Sequence, residues 1–492
     1  MKKKTFPLTI LLSLAFFLME GSFAWGQAIP MTDLGTLGGT YSHALALNDQ
    51  GRVVGGSSIP SGDYHAFSWT SGEGMIDLGT LGGNHSQAVA VNEQGQVVVN
   101  SSMNDGSWRS FLWTNGGGIV DLGTLGGNSC VARFINDLGQ ISGTSTDSEG
   151  VERIFFWTPT GGMIDVGPLE GNYNEPTAMN NNGQIVGWGI DGSDYSRAFL
   201  LTPNGPMLDL GTLGGMSSYA LAINDFEQVV GGSANDAGAV HAFLFSPGGR
   251  MVDLGTLGGE FSEAVAVNAH GQVVGSSSTL SGDTQAFLWT AAGGMVSLGT
   301  LGGTFSEAKS INDQGQVVGL STTASGDMHA FLWTQNEGMK DLGTLGGNSS
   351  SFATMINNRG QIIGESGNNI LGRVRVPDSR AILWSLPSSS PSPEEQIKKM
   401  IETVENLIRS GQLRKGIGKA LIGELHWVLK KLQREKNRTA CWLLHSFTHQ
   451  VKSLVKSRKL TSGNGEKLIN MATGVGICAY EWREHHKKCG NK

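Results

Sequence analysis

A seven-residue motif of the form DLGTLGG recurs along this chain of 492 residues at a constant step of 44 residues. Its copies begin at Asp33, Asp77, Asp121, Asp165, Asp209, Asp253, Ser297 and Asp341. A fixed step of this length is typical of a repeat architecture, in which each copy forms one supersecondary unit and neighbouring units share a buried core. The repeat therefore limits the fold more than any other feature of the sequence.

Each repeat contains four short apolar runs separated by turn residues. In the copy that begins at Asp253 these runs are AVAVN, QVVGSS, AFLWT and the segment that leads from GGM into the next motif. Runs of four to six residues that are rich in Val, Phe and Trp predict strands, and none is long enough for helical periodicity. Four strands in about 40–50 residues predict one blade of a β-propeller.

The two ends of the repeat array complement each other. The array begins with MTDLGTLGG, which supplies only a fourth strand, and it ends with RAILWS, which is a third strand. We therefore predict an all-β propeller of eight four-stranded blades over residues 29–386, closed by the N-terminal strand, which leaves no open sheet edge. An open β-solenoid is the alternative. Trp384 comes seven residues late, which places an insertion in GNNILGRVRVPDS.

The composition changes abruptly after Trp384. A Pro- and Ser-rich stretch predicts a linker over residues 387–393. From Glu394 onward apolar residues recur at spacings of three and four, which predicts four helices that form a small C-terminal α-helical bundle over residues 394–492. Thr461 or Ser462 is the expected N-cap of the last helix.

The N-terminus has the pattern of a secretory signal peptide. Lys2, Lys3 and Lys4 precede a short apolar run, and small residues end at Ala24. We predict a signal peptide over residues 1–24, with a cut after Ala28 as the alternative. The apolar run is shorter than the ~20 residues of a membrane helix, although an uncleaved anchor stays open. We expect bacterial-type export, with the protein secreted or held in the cell envelope and without a transmembrane span.

Four cysteines divide between the two parts of the chain. Cys130 is alone in the repeats, whereas Cys441, Cys478 and Cys489 belong to the helical part. Export permits disulfides, so we predict a Cys441–Cys478 bond, with Cys489 as the alternative partner. The chain has no Cys-x-x-Cys spacing, which argues against a zinc site.

The formal net charge of −7 hides a strong asymmetry. Residues 25–393 contain about 12 Lys and Arg against about 32 Asp and Glu, and residues 394–492 contain about 20 against about 9. A basic tail raises nucleic acid as a partner, but export argues against it. An anionic cell-envelope polymer or the chain's own acidic repeats are better partners for the tail.

Two family resemblances can be named on these motifs. The HAFLWT segment His329–Thr334, with the DLGTLGG copies, resembles the HAF family of extracellular repeats. The tail segments LIRSGQLRKGIGKALIGEL and LLHSFTHQVKSLVKSRKLTSGNGEKLINMATGV resemble the FIMAH-type helical module of bacterial surface proteins. Such modules often have Phe-Ile where this chain has Phe447 and Thr448. The first resemblance implies export without known catalytic residues, and the second implies an accessory or attachment role.

The glycine motif looks at first like a phosphate-binding loop. That chemistry needs a strand, the loop and then a helix whose N-terminus faces the anion. Here a second strand follows each loop, so we expect the glycines to supply positive φ and close backbone approach instead. The repeated Asp is expected to cap the turn through Asx hydrogen bonds. A calcium-binding ring of aspartates is the alternative, although Ser297 interrupts it.

Other recurrent residues also suit a structural role. The Asn-x-x-Gly-Gln turns predict hairpins rather than calcium loops. One position holds His65, His241, His329, Arg109, Arg153, Arg197, Gln285 and Arg380, which predicts a polar rim rather than a metal site. The tryptophans of the FLW segments are expected in the core between blades.

A binding site is expected where the repeat is broken, and the fourth blade is broken most. Exposed aromatic residues beside carboxylates suit stacking on a sugar ring with hydrogen bonds to its hydroxyls. The candidate ligand-binding residues are Glu170, Tyr173, Glu175, Trp188 and Tyr195 in the fourth blade, and Trp108 and Arg133 in neighbouring blades. Sequence drift in a tolerant repeat is the alternative. Glu170 and Glu175 are also conceivable as a glycosidase pair, whose separation the sequence does not give.

The sequence favours an exported, non-catalytic binding or structural protein. Loops at one face of the propeller would recognise an extracellular ligand such as a glycan, and the basic helical module would serve attachment. No cofactor, metal or nucleic acid is expected. The alternative is an extracellular polysaccharide hydrolase or lyase of propeller fold, which the constant repeat step disfavours because propeller enzymes usually carry unequal loops at one face.

Overall fold

The chain forms a strand-rich unit followed by a helical unit. The computed structural model describes residues 29–167, 173–203, 205–368, 379–386, 393–432 and 437–473. Contacts between Cα atoms divide the chain between Pro387 and Ser388. The predicted signal peptide, the insertion after Asn368 and the linker lie outside the described residues, apart from Pro393 at the linker's end.

The strand-rich unit is built from short strands that are all antiparallel to their sequence neighbours within a sheet. The first half contains β1 (Met31–Asp33), β2 (Ser42–Leu47), β3 (Val53–Ser58), β4 (Tyr64–Thr70), β5 (Gly74–Asp77), β6 (Ser86–Val91), β7 (Val97–Ser102), β8 (Trp108–Thr114), β9 (Gly118–Asp121), β10 (Gly126–Ile135), β11 (Ile141–Asp147), β12 (Glu152–Thr158), β13 (Gly162–Asp165), β14 (Asn174–Met179), β15 (Ile185–Ile190), β16 (Ser196–Leu201) and β17 (Met207–Asp209).

The second half contains β18 (Gly214–Ile223), β19 (Val229–Asn235), β20 (Val240–Phe245), β21 (Val252–Asp253), β22 (Gly258–Val267), β23 (Val273–Thr279), β24 (Thr284–Thr290), β25 (Gly294–Ser297), β26 (Gly302–Ile311), β27 (Val317–Thr323), β28 (Met328–Thr334), β29 (Gly338–Asp341), β30 (Ser350–Ile356), β31 (Gln361–Gly367) and β32 (Arg380–Ser385).

These strands form repeated four-stranded sheets. Sheet 1 is β2-β3-β4-β5, and the same order recurs in sheets 2 to 7, which end with β26 to β29. A single parallel pair, Thr284 with Phe305, connects sheets 6 and 7. The last sheet, sheet 8, has the order β1-β32-β31-β30, in which Met31 pairs with Trp384 and Thr32 with Leu383. The N-terminal strand thus takes the fourth place in the last sheet, as its sequence predicts.

Each sheet buries both of its faces against neighbouring sheets, as in a propeller. In β24, Phe287 packs with Val230 and Ala242 of sheet 5. Leu288 points to the opposite face and packs with Phe331 of sheet 7. The Phe of this segment is fully buried, whereas Trp289 and its equivalents Trp69, Trp113 and Trp333 are only half-buried against the same clusters. Trp157 and Trp384 are themselves buried in core clusters, so the tryptophans pack between sheets as expected, beside a Phe that is replaced in sheet 8 by Ile382.

The glycine motif forms a closed loop between sheets and does not lead into a helix. Asp253 Oδ1 accepts a hydrogen bond from the Gly255 amide at 2.7 Å, which confirms the expected Asx turn. Gly255 and Gly258 have φ of 76° and 105°, conformations that favour glycine. A Cβ on Gly259 would overlap Ser278 of the adjacent strand β23. The close approach therefore lies within one sheet and not at the junction between two sheets.

In six of the sheets a buried serine ties the glycine loop to the preceding sheet. Ser262 Oγ donates to the Gly255 carbonyl at 2.6 Å and accepts from the Ala242 amide in β20 at 2.8 Å. We call this two-bond arrangement the serine bridge. The serines that form it are Ser42, Ser86, Ser218, Ser262, Ser306 and Ser351. The sequence at the same place in sheets 3 and 4 has Cys130 and Asn174 instead.

Buried asparagines connect the turns that follow the first strands of successive sheets. Asn268 Oδ1 accepts from the Gln272 amide and so closes its own hairpin, as expected. Its Nδ2 donates to the Asn312 carbonyl of the next sheet at 3.0 Å. The donors of the equivalent bonds are Asn48, Asn92, Asn136, Asn180, Asn224, Asn268, Asn312 and Asn357. The bond from Asn357 returns to the carbonyl of Asn48 at 2.9 Å.

The helical unit contains α1 (Pro393–Arg409), α2 (Lys415–Leu432), α3 (Asn437–Lys456) and α4 (Ser462–Thr473). The predicted apolar positions Ile397 and Val404 lie in one core cluster with Leu425 and Phe447. The Thr461 hydroxyl accepts from the Asn464 amide at 3.3 Å, which makes Thr461 the N-cap of α4. No described helix combines the length and apolar character needed to cross a bilayer.

Candidate binding site

The predicted fourth-blade residues lie at the start of β14 and on the strand beside it. Tyr173 directly precedes β14, and its carbonyl accepts from the Ile190 amide at 3.0 Å. Glu175 of β14 is in register with Trp188 of β15. Because side chains of paired residues in an antiparallel sheet share a face, this register brings Glu175 and Trp188 together. Strand pairing therefore assembles three candidates that are up to fifteen positions apart in the sequence.

These side chains form a mixed aromatic and charged cluster. The rings of Tyr173 and Trp188 are 5.4 Å apart between centroids and tilted by 47°. The Tyr173 hydroxyl donates to Glu175 Oε2 at 3.1 Å, and Arg133 Nη2 lies 2.6 Å from Glu175 Oε1. Burial, and next the Glu175 carboxylate, raise the pKa of Tyr173, so the hydroxyl stays a donor at neutral pH. Tyr173 remains 41% exposed. We call Arg133, Tyr173, Glu175 and Trp188 the sheet 4 cluster.

Arg133 comes from the first strand of sheet 3, so the ion pair joins two neighbouring sheets. Its side chain is 41% exposed while that of Glu175 is 21% exposed. The guanidinium keeps N–H donors on its solvent side, since only one nitrogen pairs with Glu175. Both carboxylate oxygens of Glu175 are engaged, one by Arg133 and one by Tyr173. The cluster therefore presents two rings and a guanidinium edge to solvent.

Tyr195 lies in the turn between β15 and β16 on the same sheet. Its amide donates to Asp191 Oδ1 at 3.1 Å, and its ring is 37% exposed. Asp191 Oδ2 accepts from Arg197 Nε at 2.8 Å. The Arg197 hydrogen bond, followed by bonds from the turn amides, lowers the pKa of Asp191. The turn is thus fixed by an ionised aspartate, which leaves the Tyr195 ring free to contact a ligand.

Trp108 belongs to a different aromatic group, in sheets 1 and 2. Tyr41 stacks on Tyr64 at 5.5 Å, Tyr64 on His85 at 5.0 Å, and His85 meets Trp108 edge-on at 5.4 Å. Tyr64 is buried because its ring lies over Gly56, where a Cβ would overlap it. The stacked rings cover one another's faces, and Trp108 ends the row with 36% exposure. Sequence reasoning placed Trp108 beside the fourth blade, whereas its ring contacts His85.

The structure describes only some of the remaining predicted residues. Glu170 lies outside the described residues, so a carboxylate pair with Glu175 has no measured separation. Cys441 is disulfide-bonded, while Cys130 is free and buried. Cys478 and Cys489 lie outside the described residues, so the predicted pairing stays a prediction. Among the residues that the structure describes, no group of His, Cys, Asp or Glu side chains could hold a metal ion.

The position shared by His and Arg pairs with the aspartate of the glycine motif where it holds His or Arg380, whereas Arg153 and Arg197 pair with Asp147 and Asp191 of a turn. His241 Nδ1 lies 2.8 Å from Asp253 Oδ2, and the same contact recurs at His65 and His329. Where Ser297 replaces the aspartate, its hydroxyl donates to Gln285 Oε1 at 2.5 Å. This position is a rim contact that supports the loop, as expected, and it contributes nothing to the sheet 4 cluster.

The serine bridge is absent at the junctions on either side of sheet 3. The Ser110 hydroxyl donates to the Cys130 carbonyl at 3.1 Å and accepts from the Ala132 amide at 2.8 Å. Asn100 Oδ1 accepts from Ser110, so this junction uses a different buried network. Burial raises the pKa of the Cys130 thiol to about 11. The loss of the repeated serine at positions 130 and 174 is the sequence signal that would have located this irregular region.

A separate cavity of about 500 Å³ opens at the ends of the first strands that carry the asparagine turns. Its lining includes Asp49, Glu93, Asp225 and Asp313. Most of these carboxylates accept amide hydrogen bonds between neighbouring turns, as Asp49 Oδ1 does from Asn358. Burial raises the pKa of Glu93. Tyr173 precedes β14 and the Asn180 turn follows it, so the sheet 4 cluster lies toward the opposite end of these strands.

No protein-family model matches the chain, and no curated protein matches it. The fold is similar to that of a lectin from Burkholderia pseudomallei, with 9% identity and a TM-score of 0.38 over 61% of this chain and 98% of the lectin. It is also similar to the β-propeller domain of the Trilobed protease from Pyrococcus furiosus, with 10% identity and a TM-score of 0.43 over 63% and 99% of the two chains.

A Mycobacterium tuberculosis puromycin-hydrolyzing peptidase is a third similar structure, with 13% identity and a TM-score of 0.41 over 69% of this chain and 60% of the peptidase. These three proteins include a carbohydrate-binding protein and parts of two enzymes. Identity and TM-scores this low carry no argument about what the present chain binds or catalyses.

Proposed function

We propose that the strand-rich unit is a closed propeller of eight blades, with β1 completing the last blade. Two observations support the closure. The β1–β32 register places the N-terminal strand in sheet 8. The asparagine bonds run from each sheet to the next and return from Asn357 to Asn48. An open stack of sheets would leave its two terminal asparagine turns far apart.

We further propose that the protein is exported and binds an extracellular glycan, without catalysis, through the sheet 4 cluster. The observation that carries this proposal is the placement of the Tyr173 and Trp188 rings beside the Glu175–Arg133 pair at a partly exposed position. Aromatic faces suit the apolar faces of sugar rings, and a fixed ion pair suits hydroxyl groups, which both donate and accept. Tyr195 extends the aromatic surface on the same sheet.

The contacts of Glu175 support a binding function without catalysis. A nucleophilic carboxylate must be able to reach the reacting carbon, and a general acid must carry a proton on the oxygen that faces the leaving group. Both oxygens of Glu175 are held by partners of the protein itself, Arg133 and Tyr173. This arrangement suits a rigid recognition surface better than proton transfer or attack on a sugar. The helical unit serves as the accessory or attachment module in this proposal.

A glycan array with the full chain tests the binding proposal. Binding to one glycan class is expected, and Tyr173→Ala and Trp188→Ala should each weaken it about tenfold or more, as expected for loss of about 1.5 kcal/mol of ring contact. Phe261→Ala is the matched control, since Phe261 occupies the position of Tyr173 in sheet 6 and is 38% exposed. Wild-type binding by both sheet 4 variants would move the site elsewhere. Release of oligosaccharides from a bound polysaccharide would favour an enzyme.

A further inference from the structure

The helical unit carries an exposed basic surface, and no ion pair joins the side chains that the structure describes in this unit. Its described basic side chains are Lys398, Lys399, Arg409, Arg414, Lys415, Lys419, Lys430, Lys431, Lys452, Lys456, Arg458, Lys459 and Lys467. Its described carboxylates are Glu402, Glu405 and Glu424. The ion pairs among the described residues of the chain all lie in the strand-rich unit. The positive charge of the bundle is therefore available to an external anionic partner.

An exposed tryptophan marks one face of this surface. Trp427 of α2 is 56% exposed, and the Nζ atoms of Lys430 and Lys431 lie 5.6 and 5.7 Å from its ring centroid. The turn of α2 that precedes Trp427 leaves the helix surface beside the ring uncovered. That turn holds Gly423, where a Cβ would meet nothing within 4 Å. The ring edge is therefore open to solvent on this side.

The neighbouring carboxylate does not neutralise this face. Glu424 Oε1 accepts from Gln450 Nε2 of α3 at 2.5 Å, which turns the carboxyl toward the next helix. Burial raises the pKa of Glu424. Leu425 and Val428 beneath the face belong to the bundle core, so the Trp427 backbone is held in place. An indole ring and two ammonium groups thus project together from a rigid helix.

We propose that the face of α2 around Trp427, Lys430 and Lys431 docks on the surface of an anionic phospholipid bilayer. The proposal rests on the proposed attachment role of the helical unit and names its partner. Indole rings settle at the headgroup level of bilayers, and lysines are attracted to anionic headgroups. A nucleic acid would instead stack its bases on the indole faces. The ammonium groups of Lys430 and Lys431 lie 5.6 and 5.7 Å from the ring centroid, so a base that stacked on a ring face covered by them would have to displace them.

The test is co-sedimentation of the full chain with vesicles. The full chain should bind vesicles of equal parts phosphatidylcholine and phosphatidylglycerol, lose this binding at high salt, and fail to bind pure phosphatidylcholine. Trp427→Ala should weaken binding about tenfold, since half-burial of an indole contributes about 1.5 kcal/mol. Lys430→Gln with Lys431→Gln should weaken it about 30-fold, at about 1 kcal/mol per lysine near the surface.

Matched variants separate local docking from diffuse attraction. Lys398→Gln with Lys399→Gln removes the same charge from α1 and should retain binding within about threefold. An equal loss for both lysine pairs would overturn the localised surface, as would binding to polyphosphate or double-stranded DNA without binding to vesicles. Tyr173→Ala should bind vesicles like the wild type. The vesicle experiment therefore tests the bilayer proposal even if the protein binds no glycan. Helix content by circular dichroism checks that Trp427→Ala folds.

Discussion

Sheet 6 and the pair of sheets 3 and 4 are built from the same repeat but hold their junctions differently. In sheet 6 the glycine loop is complete, and Ser262 ties it to the preceding sheet. At sheets 3 and 4 the serine is replaced by Cys130 and Asn174. The cluster of exposed rings beside an ion pair lies at this irregular place. The difference shows that the repeated residues hold neighbouring sheets together. The exposed aromatic and charged residues of the sheet 4 cluster lie where the repeated sequence is not kept.

The largest difference is expected between the repeated core and the irregular surface. Phe287→Ala removes a fully buried ring between sheets 5 and 6, and it should lower the free energy of unfolding by about 3–5 kcal/mol. Tyr195→Ala should change the same quantity by less than about 0.5 kcal/mol, because its side chain is partly exposed and its turn is held through its backbone amide. Denaturant unfolding followed by near-ultraviolet circular dichroism measures both. Similar values for the two variants would contradict the assignment of core and surface.

A smaller effect is expected at the serine bridge. Ser262→Ala leaves the buried Ala242 amide and Gly255 carbonyl without their hydroxyl partner, which should cost about 1–3 kcal/mol. Cys130→Ser should change the unfolding free energy by less than about 1 kcal/mol. The Ser110 hydroxyl already bonds across this junction, and the new hydroxyl could donate to the carbonyl of Gly123, which is equivalent to Gly255.

The same denaturant titration compares the two serine-bridge variants. A large loss of stability in Cys130→Ser, or none in Ser262→Ala, would break the distinction between the regular and irregular junctions. The comparison is direct because positions 262 and 130 occupy the same place in their sheets.

The smallest effect is expected at the exposed Asx turns. Asp253→Ala loses the bond to the Gly255 amide and the contact with His241, and it should lower stability by about 0.5–1 kcal/mol. Ser297→Asp restores the repeat consensus and should change stability by less than about 0.5 kcal/mol, since the serine hydroxyl already accepts from Gly299 at 3.0 Å. A loss above about 2 kcal/mol in either variant would give the aspartate a role beyond the turn.

Much of the strand-rich fold could be predicted from the sequence because the repeat step and the turn residues are local signals. Four strands per repeat, the Asx turns and the N-terminal strand in sheet 8 all follow from that pattern. The tryptophans pack between sheets as predicted, but the degree of burial differs from sheet to sheet, from the half-buried Trp289 to the fully buried Trp384, and the repeat pattern alone does not give it. The serine bridge and the asparagine bonds were also missed, since they join residues of different repeats.

Only the part of the candidate site that strand pairing assembles could be predicted from the sequence. Tyr173, Glu175 and Trp188 come together because β14 and β15 are adjacent strands of one hairpin. The sequence places Arg133 and Glu175 in neighbouring sheets, but it does not give their ion pair, because the pair depends on how the two sheets pack. Trp108 was wrongly grouped, since its contact with His85 lies within sheet 2. Repeat position tells which sheet a residue belongs to, but not which ring it touches.

The most direct test of the closed ring is a disulfide between β1 and β32. Thr32 is in register with Leu383, and paired residues of antiparallel strands lie within disulfide distance. Thr32→Cys with Leu383→Cys should form an intramolecular bond in the monomer under mild oxidation, detected by mass spectrometry. Thr32→Cys with Leu332→Cys, the equivalent residue of sheet 7, should stay reduced because Leu332 pairs with Lys340. Absence of the first bond, or its formation only between two molecules, would contradict a ring closed by the N-terminal strand.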